Sequence, residues 1–161
     1  MSVKQKSIVL LQGIPKDSFL KVLTKKKFRN IYVLEGRPRG EGVALLCEKL
    51  LKRKIKPTLI ADNMAGFLFY KNLVKEVWIA YQSLHQNGAF CSMGALILGV
   101  LGKHHRIPVY LVPSAIKTDD MGRQEDILRF QGARIAPKGV KGYVPLIERV
   151  PQQYISEIYY E

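Results

Sequence analysis

Short apolar runs alternate with longer amphipathic stretches over the first two thirds of the chain. The runs predict five strands, and the stretches between them predict helices. The predicted strands cover residues 7–12, 30–35, 56–61, 74–80 and 107–112. Strands of about six apolar residues that alternate with helices are typical of a parallel sheet covered on both sides. The pattern therefore predicts one α/β domain over residues 1–161, with helices on both faces of a parallel sheet.

The helical stretches differ in how their apolar positions are spaced. Residues 40–54 repeat apolar side chains on one face, and residues 93–103 carry almost no charge, which predicts a helix packed on two sides. Further helices are predicted near residues 15–25, 64–70 and 152–160, the last because Pro151 suits a first helical turn. The polar stretch 81–88 and the glycine- and proline-containing stretch 134–145 predict loops.

A ligand cleft is predicted where the second and third strands end. The second strand runs into E-G-R-P-R-G-E-G at residues 35–42, which opens a helix, and the third runs into A-D-N-M-A-G at 61–66. The carboxyl ends of parallel strands meet at one edge of the sheet, where binding groups converge. The Gly36 to Gly42 turn is therefore the predicted centre of the site.

Arginines and glycines in this turn support two interpretations. Arg37 and Arg39, beside Gly40, present guanidinium groups and backbone N–H donors to a phosphate at a helix N-terminus. Alternatively, the glycines serve a tight turn and Arg37 pairs with a structural carboxylate such as Asp62. Glu41 repels a strongly anionic ligand, and instead caps the helix or accepts a ribose hydroxyl group.

Other polar residues near the predicted cleft have simpler explanations. Asp62 and Asn63 precede a helix and are interpreted first as an N-cap pair, with binding of a ligand hydroxyl as the alternative. Asn87 and Gly88 form a turn dipeptide. His85 lies in the polar loop that faces the same cleft, and is interpreted as a solvent-exposed histidine.

Composition adds a strong positive charge. The chain has 26 Lys and Arg against 13 Asp and Glu, for a net charge of +13. The clusters are Lys25-Lys26-Lys27, Lys52-Arg53-Lys54 and Lys103-His104-His105-Arg106. All fall at predicted helix C-termini, where cations offset the helix dipole, and none forms a nucleic-acid-binding motif. RNA binding is therefore the weaker interpretation of the charge.

Cysteine spacing and hydropathy exclude several classes of protein. Two cysteines, Cys47 and Cys91, lie far apart and form no C-x-x-C zinc motif, so we expect neither a disulfide framework nor a metal site. No apolar run is long enough to cross a bilayer, and the N-terminus does not resemble a signal peptide. A cytoplasmic protein with no cofactor and no membrane partner is expected.

Five blocks resemble one family in the same order along the chain. They are E-G-R-P-R-G-E-G, T-L-I-A-D-N-M-A-G, the Asn87-Gly88 turn, L-G-K-H-H-R-I-P-V-Y, and the tail R-I-A-P-K-G-V…V-P-Q-Q-Y-I-S-E-I. This is the family of the alpha, beta and delta subunits of translation initiation factor 2B, which also contains methylthioribose-1-phosphate isomerase and ribose-1,5-bisphosphate isomerase. The resemblance is to its carboxyl-terminal, Rossmann-like domain, and implies that this chain lacks the family's amino-terminal helical domain.

The family implies a cleft for a phosphorylated sugar or nucleotide, and dimerisation through this domain. In its isomerases a cysteine after the first strand and an aspartate after the fourth transfer the proton. Here Gln12-Gly13 offers no cysteine, and Gln82 stands where the aspartate is expected. Glu41 replaces a substrate-holding glutamine, and the family's Asn-Lys pair falls near Ser92 and Met93. An amide has no proton to exchange near neutral pH, so no catalytic residue is assigned.

The sequence thus predicts an initiation-factor-2B-like, non-catalytic binding or assembly module that forms a homodimer and keeps a degenerate cleft. The predicted ligand-binding residues are Arg37, Arg39, Gly40, Glu41, Asp62, Asn63, Gln82, Asn87 and Gly88. The alternative is a sugar-phosphate isomerase that uses Glu41 and His85 in place of the lost pair. An RNA- or translation-factor-contacting accessory of translation is a third and weaker hypothesis.

Overall fold

The computed structural model describes residues 6–26 and 28–161, so Lys27 of the first basic cluster lies outside the described residues. Strands and helices alternate along the first two thirds of the chain, as the hydrophobic pattern predicts. The strands are β1 Ile8–Gln12, β2 Asn30–Leu34, β3 Thr58–Ile60, β4 Val74–His85, β5 Gly88–Ser92, β6 Val109–Pro113, β7 Arg129–Phe130, β8 Ala133–Arg134, β9 Ile147–Pro151 and β10 Glu157–Ile158. The helices are α1 Asp17–Lys25, α2 (π-helical over Gly42–Cys47 and α-helical over Glu48–Lys52), α3 Met64–Tyr70, α4 Ala95–His105 and α5 Gln124–Leu128.

The main sheet is parallel at its centre. Its strand order is β10-β6-β4-β1-β2-β3, and every neighbouring pair in this order is parallel. All six strands therefore point the same way. We call the side where they begin the amino edge and the side where they end the carboxyl edge.

Side chains of β1 alternate between two hydrophobic clusters, one on each face of the sheet. Ile8 and Leu10 join the cluster that contains buried residues of α3 and α4. Val9 and Leu11 join the cluster that contains residues of α1 and α2. Every residue of β1, from Ile8 to Gln12, is buried. The predicted fold class, a parallel sheet with helices on both faces, is confirmed.

The polar stretch 81–88 is not the loop that its composition predicts. Strand β4 continues to His85, turns back through Asn87, and pairs with β5 in an antiparallel hairpin. Strand β9 then pairs with β5, also antiparallel, which extends the sheet. Gly88 is needed at this turn because its φ is +146° and a Cβ there would lie 2.2 Å from the carbonyl oxygen of Val150. Residues 81–85 pair with β5, and β9 pairs with the other side of β5, so backbone pairing overrides the local polar composition.

The predicted terminal helix over 152–160 is also wrong. A single 3₁₀ turn, Gln152–Tyr154, follows β9, and the chain then becomes strand β10. The backbone amides of Ser156 and Tyr159 donate hydrogen bonds to carbonyl oxygens of β6. These residues complete an open edge of the sheet, so their backbone groups find partners without forming a helix.

The remaining predictions differ at element ends. The helix predicted from Gly40 begins at Gly42, and its first six residues are π-helical. Of the loop predicted over 134–145, Arg134 is the last residue of β8, and the rest holds no helix or strand. Residues 135–146 lie beside the α5 to β8 segment, where the amide of Gly142 donates a hydrogen bond to the side chain of Gln124. The described cations of the three basic clusters lie in the last turns of α1, α2 and α4 or directly after them, as expected. Across the described residues, no helix is long and apolar enough to span a bilayer.

Candidate functional site

The Gly36 to Gly42 turn is held at the carboxyl edge by Asp62. Its two carboxylate oxygens accept hydrogen bonds from the backbone N–H groups of Gly36 (2.9 Å) and Arg37 (2.8 Å). The interpretation of Asp62 and Asn63 as an N-cap pair is therefore wrong, since Asp62 bonds the turn and Asn63 is exposed and makes no capping hydrogen bond to α3. Asp62 therefore fixes the conformation of the Gly36 to Gly42 turn through these two hydrogen bonds.

Glycine is required inside this turn for two different reasons. Gly36 and Gly40 have φ values of +76° and +72°, which side-chain-bearing residues seldom adopt. Gly42 packs so closely on β2 that a Cβ would lie 1.9 Å from the carbonyl oxygen of Leu34. The interpretation as a tight turn is therefore supported, whether or not a phosphate also binds.

Arg37 does not use its side chain on Asp62, contrary to the pairing considered for it. Its guanidinium donates hydrogen bonds to the backbone carbonyl oxygens of Pro38 (3.1 Å), Arg129 (3.4 Å) and Ile127 (3.5 Å). It also lies 5.0 Å from the centre of the Phe130 ring. Arg39 reaches the same segment, with its Nε 3.4 Å from a carboxylate oxygen of Asp126. Both arginines thus connect the turn to the α5–β7 segment.

Between the turn and the α5 to β8 segment lies an outer cleft of about 840 Å³. It is wide enough for a small phosphorylated metabolite. The charged residues that line it are Glu35, Arg37, Arg39, Asp119, Arg123, Glu125, Asp126 and Arg129. Arg39 and Arg123 pair with Asp126, and Arg129 pairs with Glu125 at 2.8 Å. Among these four arginines, Arg37 alone has no carboxylate within 4 Å in the described part of the chain.

Beneath the turn lies a second, inner cavity of about 20 Å³, room for one water molecule or one hydroxyl group. Gln12, at the carboxyl end of β1, lines it and is 4% exposed. Its Nε2 donates hydrogen bonds to the carbonyl oxygens of Ser92 (3.2 Å) and Met93 (2.8 Å). Within residues 6–26 and 28–161, Gln12 Oε1 and Thr118 Oγ1 are buried without a hydrogen-bond partner. Both residues line the cavity, and buried polar atoms normally have partners.

Glu41 also lines the inner cavity and is half-buried. Burial raises the pKa of its carboxyl group, and the positive charge of Arg39 offsets part of this effect. Its side chain makes no capping hydrogen bond to α2, so the interpretation of Glu41 as a helix cap is wrong. The cavity is therefore lined by residues that carry a carboxamide, a hydroxyl and a carboxyl group, and also by Arg37 and Arg39.

Gln82 lies beside the inner cavity but is not part of its lining. Its Oε1 accepts the backbone N–H of Thr118 (3.1 Å), and its Nε2 donates to the hydroxyl group of Ser114 (3.3 Å). Both ends of the amide are thus engaged in holding the loop that follows β6. Gln82 positions Thr118 and has no proton to exchange.

Neither cysteine lines the outer cleft or the inner cavity. Cys91 is fully buried in β5, and burial raises the pKa of its thiol to about 12. Cys47 is half-buried on α2, and burial raises its pKa as well. A reactive thiolate is therefore absent from both cavities of this site.

The rest of the predicted site residues lie elsewhere. Asn87 and Gly88 are at the tip of the β4–β5 hairpin, and neither they nor Asn63 line the two cavities. His85 lies at the same tip with its ring 4.6 Å from that of Phe90, so the prediction that it faces the cleft is wrong. The structure brings together Arg37, Arg39, Gly40 and Glu41, with Asp62 supporting them.

The sequence pattern did not indicate several residues that line the outer cleft and the inner cavity. Gln12 was noted only as a replaced position, and Thr118 was not considered. Asp126 and Phe130 lie in an irregular segment whose sequence pattern predicts no contact with the turn. The position of Gln12 at the end of the central strand was the one available signal. Within the described ranges, no group of three potential metal ligands comes together.

This arrangement is accompanied by similarity over nearly the whole chain. The model of the initiation factor 2 subunit family matches residues 16–161. The chain belongs to this family. Methylthioribose-1-phosphate isomerase from Thermus thermophilus is 31% identical over 144 residues, which cover 82% of this chain and 44% of that protein. The isomerase from Acetivibrio thermocellus is 33% identical and is covered to 42%. The chain thus spans less than half the length of these relatives.

Solved structures of the family share the fold. The delta subunit of translation initiation factor eIF-2B from A. fulgidus superposes with a TM-score of 0.82 at 21% identity, over 96% of this chain and 52% of that one. The 5-methylthioribose 1-phosphate isomerase from Pyrococcus horikoshii gives 0.83 at 22% identity, over 95% and 49%. Since subunit and isomerase superpose equally well, the fold does not distinguish their functions.

Proposed function

We propose that this member of the initiation factor 2 subunit family is a non-catalytic module that binds a phosphorylated sugar or nucleotide in the cytoplasm and assembles as a homodimer. The ligand's phosphate occupies the outer cleft, and one of its hydroxyl groups reaches the inner cavity. The observation that carries this proposal is the pair of buried atoms without partners, Gln12 Oε1 and Thr118 Oγ1.

The inner cavity suits a hydroxyl group better than a phosphate group. At about 20 Å³ it is too small for a phosphate, even though Arg37 and Arg39 also line it. Gln12 Oε1 and an ionised Glu41 only accept hydrogen bonds, so they favour a group that donates one. A sugar hydroxyl donates one hydrogen bond and accepts another, which matches a carboxamide oxygen beside the hydroxyl group of Thr118. Burying Gln12 Oε1 and Thr118 Oγ1 without hydrogen bonds costs free energy, and a bound hydroxyl group would remove this cost by bonding to both atoms.

The outer cleft suits the phosphate group. Arg37 faces the cleft with no carboxylate within 4 Å among the described residues. Its guanidinium donates three hydrogen bonds to backbone carbonyl oxygens, at 3.1 Å to its neighbour Pro38 and at 3.4 and 3.5 Å to the α5–β7 segment, and the two longer ones are near the upper limit for such bonds. A phosphate offers it stronger, charge-assisted bonds. The backbone N–H groups of Gly36 and Arg37 are already bonded to Asp62, so the phosphate is bound by side chains rather than by the turn's amides.

Chemistry at the site supports binding without turnover. An isomerisation that moves a proton between neighbouring carbons needs a base and an acid placed at the same substrate. Glu41 is the one carboxyl group lining the inner cavity, the two cysteines are elsewhere, and Gln82 is a hydrogen-bonded amide. Glu41 could serve as only one of the two acid–base groups that the isomerisation needs.

Calorimetric titration with methylthioribose 1-phosphate, ribose 1,5-bisphosphate and AMP tests the proposal, with isomerisation assayed in the same samples. Thr118→Val keeps the side-chain shape and removes the hydroxyl group, so we expect affinity to fall about 2- to 12-fold, equivalent to 0.5–1.5 kcal/mol. The matched control is Thr58→Val, which alters an exposed hydroxyl group at the opposite edge of the sheet. Measurable turnover, or equal affinities for the two variants, contradicts the proposal.

One observation favours a second candidate, a sugar-phosphate isomerase with substituted catalytic residues. Glu41 is half-buried in the cavity and its pKa is raised, as in many catalytic general bases. The chain spans less than half the length of its isomerase relatives, and in this candidate the acid comes from outside the described residues. If this candidate is correct, Glu41→Gln abolishes turnover and leaves binding intact, while His85→Ala has no effect because His85 lies outside the cleft.

The homodimer proposal rests on an apolar surface that spans two contacting helices. Met64 and Phe67 of α3 are 42% and 55% exposed, and Ile97 and Val100 of α4 are 63% and 42% exposed. Exposed apolar surface of this kind marks protein interfaces. The resemblance to a family that dimerises through this domain makes a second copy the proposed occupant.

Sedimentation velocity tests the dimer. We expect Ile97→Glu to convert dimer to monomer, because a carboxylate then faces its own copy across a symmetric interface. Leu51→Glu is the control, since Leu51 is 56% exposed on α2, which covers the other face of the sheet. A wild-type monomer at micromolar concentration, or dissociation by both variants, contradicts this interface.

A further inference from the structure

Opposite the cleft, the amino edge of the sheet gathers most of the exposed cations that have no carboxylate partner within 4 Å in the described part of the chain. Each connection that leads from a helix into a parallel strand ends at this edge, because all six strands point away from it. These connections carry the exposed residues Lys25, Lys26, Arg29, Lys54, Lys56, Lys71, Lys75, Lys103 and Arg106. The topology thus collects cations that are scattered over 80 residues of sequence onto one surface, which we call the basic face.

The basic face has few counter-charges. None of its residues is within 4 Å of a carboxylate in the described ranges, whereas Lys49, Lys52 and Arg53 on α2 each pair with Asp17 or Glu48. Near the basic face lie Glu76, which is buried and accepts the indole N–H of Trp78, and Glu157 at the start of β10. The local charge is therefore strongly positive.

Helix dipoles explain only part of this cluster. Lys25 and Lys103 lie in last helical turns, where a cation is stabilised by the helix C-terminus. Arg29, Lys56 and Lys75 lie beyond the helices, next to or inside the first residues of β2, β3 and β4. Repulsion among like charges opposes this arrangement, so a bound polyanion would stabilise it.

The dimensions and chemistry of the basic face fit a nucleic-acid backbone. The starts of β6 and β3, at the two ends of the cluster, are about 19 Å apart, since neighbouring strands lie about 4.8 Å apart. A strand of RNA or DNA presents several phosphates over this length. Several of the cations lie over aromatic rings: Lys26 Nζ is 5.0 Å from the ring centre of the buried Trp78, and Lys75 Nζ is 5.6 Å from that of Phe28.

We propose that the basic face binds the phosphate backbone of single-stranded nucleic acid without reading its sequence. Phosphate contacts carry the affinity, and the ring of Tyr70, which is 77% exposed beside Lys71, can stack on a base without selecting its identity. A membrane surface fits less well, because the cations lie on four separate connections rather than along the polar face of one amphipathic helix. The site is separate from the ligand cleft and independent of the proposed function.

Fluorescence anisotropy with a labelled 20-nucleotide oligouridylate and the full chain tests the proposal. We expect affinity to fall roughly 100-fold or more between 50 and 200 mM salt, as phosphate contacts release counterions. Lys54→Glu/Lys56→Glu should weaken binding at 50 mM salt about ten-fold or more. If phosphates carry the affinity, an oligothymidylate of the same length should bind within about three-fold of the RNA. A larger difference would identify the tighter-binding nucleic acid, RNA or DNA, as the ligand of the basic face.

The matched control is Lys138→Glu/Lys141→Glu, which changes the net charge equally on exposed residues of the 135–146 segment, beside the cleft. Binding by the control should stay within about two-fold of wild type, and circular dichroism should show both variants folded. Equal losses in both variants would show a net-charge effect and overturn the proposal. Absence of binding at 50 mM salt, affinity insensitive to salt, or binding only to phosphatidylserine vesicles would overturn it too.

Discussion

The two edges of the sheet treat their charged residues in opposite ways. At the carboxyl edge Asp62 accepts two backbone amides, Arg39 pairs with Asp126, and Arg37 is bonded to backbone carbonyl oxygens. At the amino edge the cations stand in solvent, and the described residues offer them no carboxylate partner within 4 Å. One edge uses charge for directional bonds that shape a turn, and the other presents charge to solution.

This difference predicts different sensitivities to mutation. Directional bonds and close packing fail when one atom is added or removed, so the carboxyl edge should be fragile. Exposed charges act through a summed field, so single changes at the amino edge should barely affect folding. The following predictions test this contrast.

The largest effect is expected from Gly42→Ala. Its Cβ would lie 1.9 Å from the carbonyl oxygen of Leu34, and two backbone segments must separate to accept it. We expect a loss of about 3 kcal/mol in the free energy of unfolding, measured by urea denaturation. Gly40→Ala is the control: its Cβ meets nothing within 4 Å, so only its φ of +72° counts, at about 1 kcal/mol. Equal losses would show that close packing of the turn on β2 is unimportant.

Asp62→Ala should come next. It leaves the amides of Gly36 and Arg37 without their acceptors, which we expect to lower the free energy of unfolding by about 2 kcal/mol. Asn63→Ala changes the neighbouring exposed residue, which makes no capping hydrogen bond, and should stay within about 0.5 kcal/mol of wild type. If thermal unfolding shows the reverse order, the pair acts as the helix cap that the sequence predicts.

Glu41→Gln should have a smaller effect that depends on pH. Burial raises the pKa of Glu41 in the folded state, so the folded protein disfavours its ionised form. That cost is absent below the ordinary carboxyl pKa and appears as pH rises through the raised folded value. The variant should therefore unfold at higher urea concentration than wild type at pH 7, and the difference should vanish towards pH 4. A difference that grows in acid contradicts this assignment.

The smallest effect on stability is expected at the amino edge. Lys54→Gln/Lys56→Gln removes two exposed charges that have no carboxylate partner within 4 Å, so urea unfolding should change by less than about 0.5 kcal/mol. Relief of repulsion among neighbouring cations should make any change slightly stabilising, and added salt should erase it. A substantial loss of stability would show that these lysines make structural contacts and would remove the contrast between the edges.

Part of the site followed from the sequence because its signals are local. The strand, the glycine turn and the helix after it lie within residues 30–52, so Arg37, Arg39, Gly40 and Glu41 were placed correctly at one edge. The partner of the turn was named as Asp62, but with the wrong atoms of Arg37, since a sequence does not distinguish a side chain from a backbone amide as donor. Gln12 and Thr118 reach the cavity from positions 106 residues apart in the sequence, and no local pattern relates them.

The sequence by itself determined the alternation of strands and helices and the location of the cleft, because hydrophobic periodicity and strand-end polarity are encoded within a few residues. Only the tertiary structure decided that polar residues 81–85 are strand, that the C-terminal segment completes the sheet, and which polar atoms remain unpaired. It also decided that scattered cations share one face. Backbone hydrogen bonds between distant strands and the parallel direction of the sheet produce these results, and both depend on contacts between residues far apart in the chain.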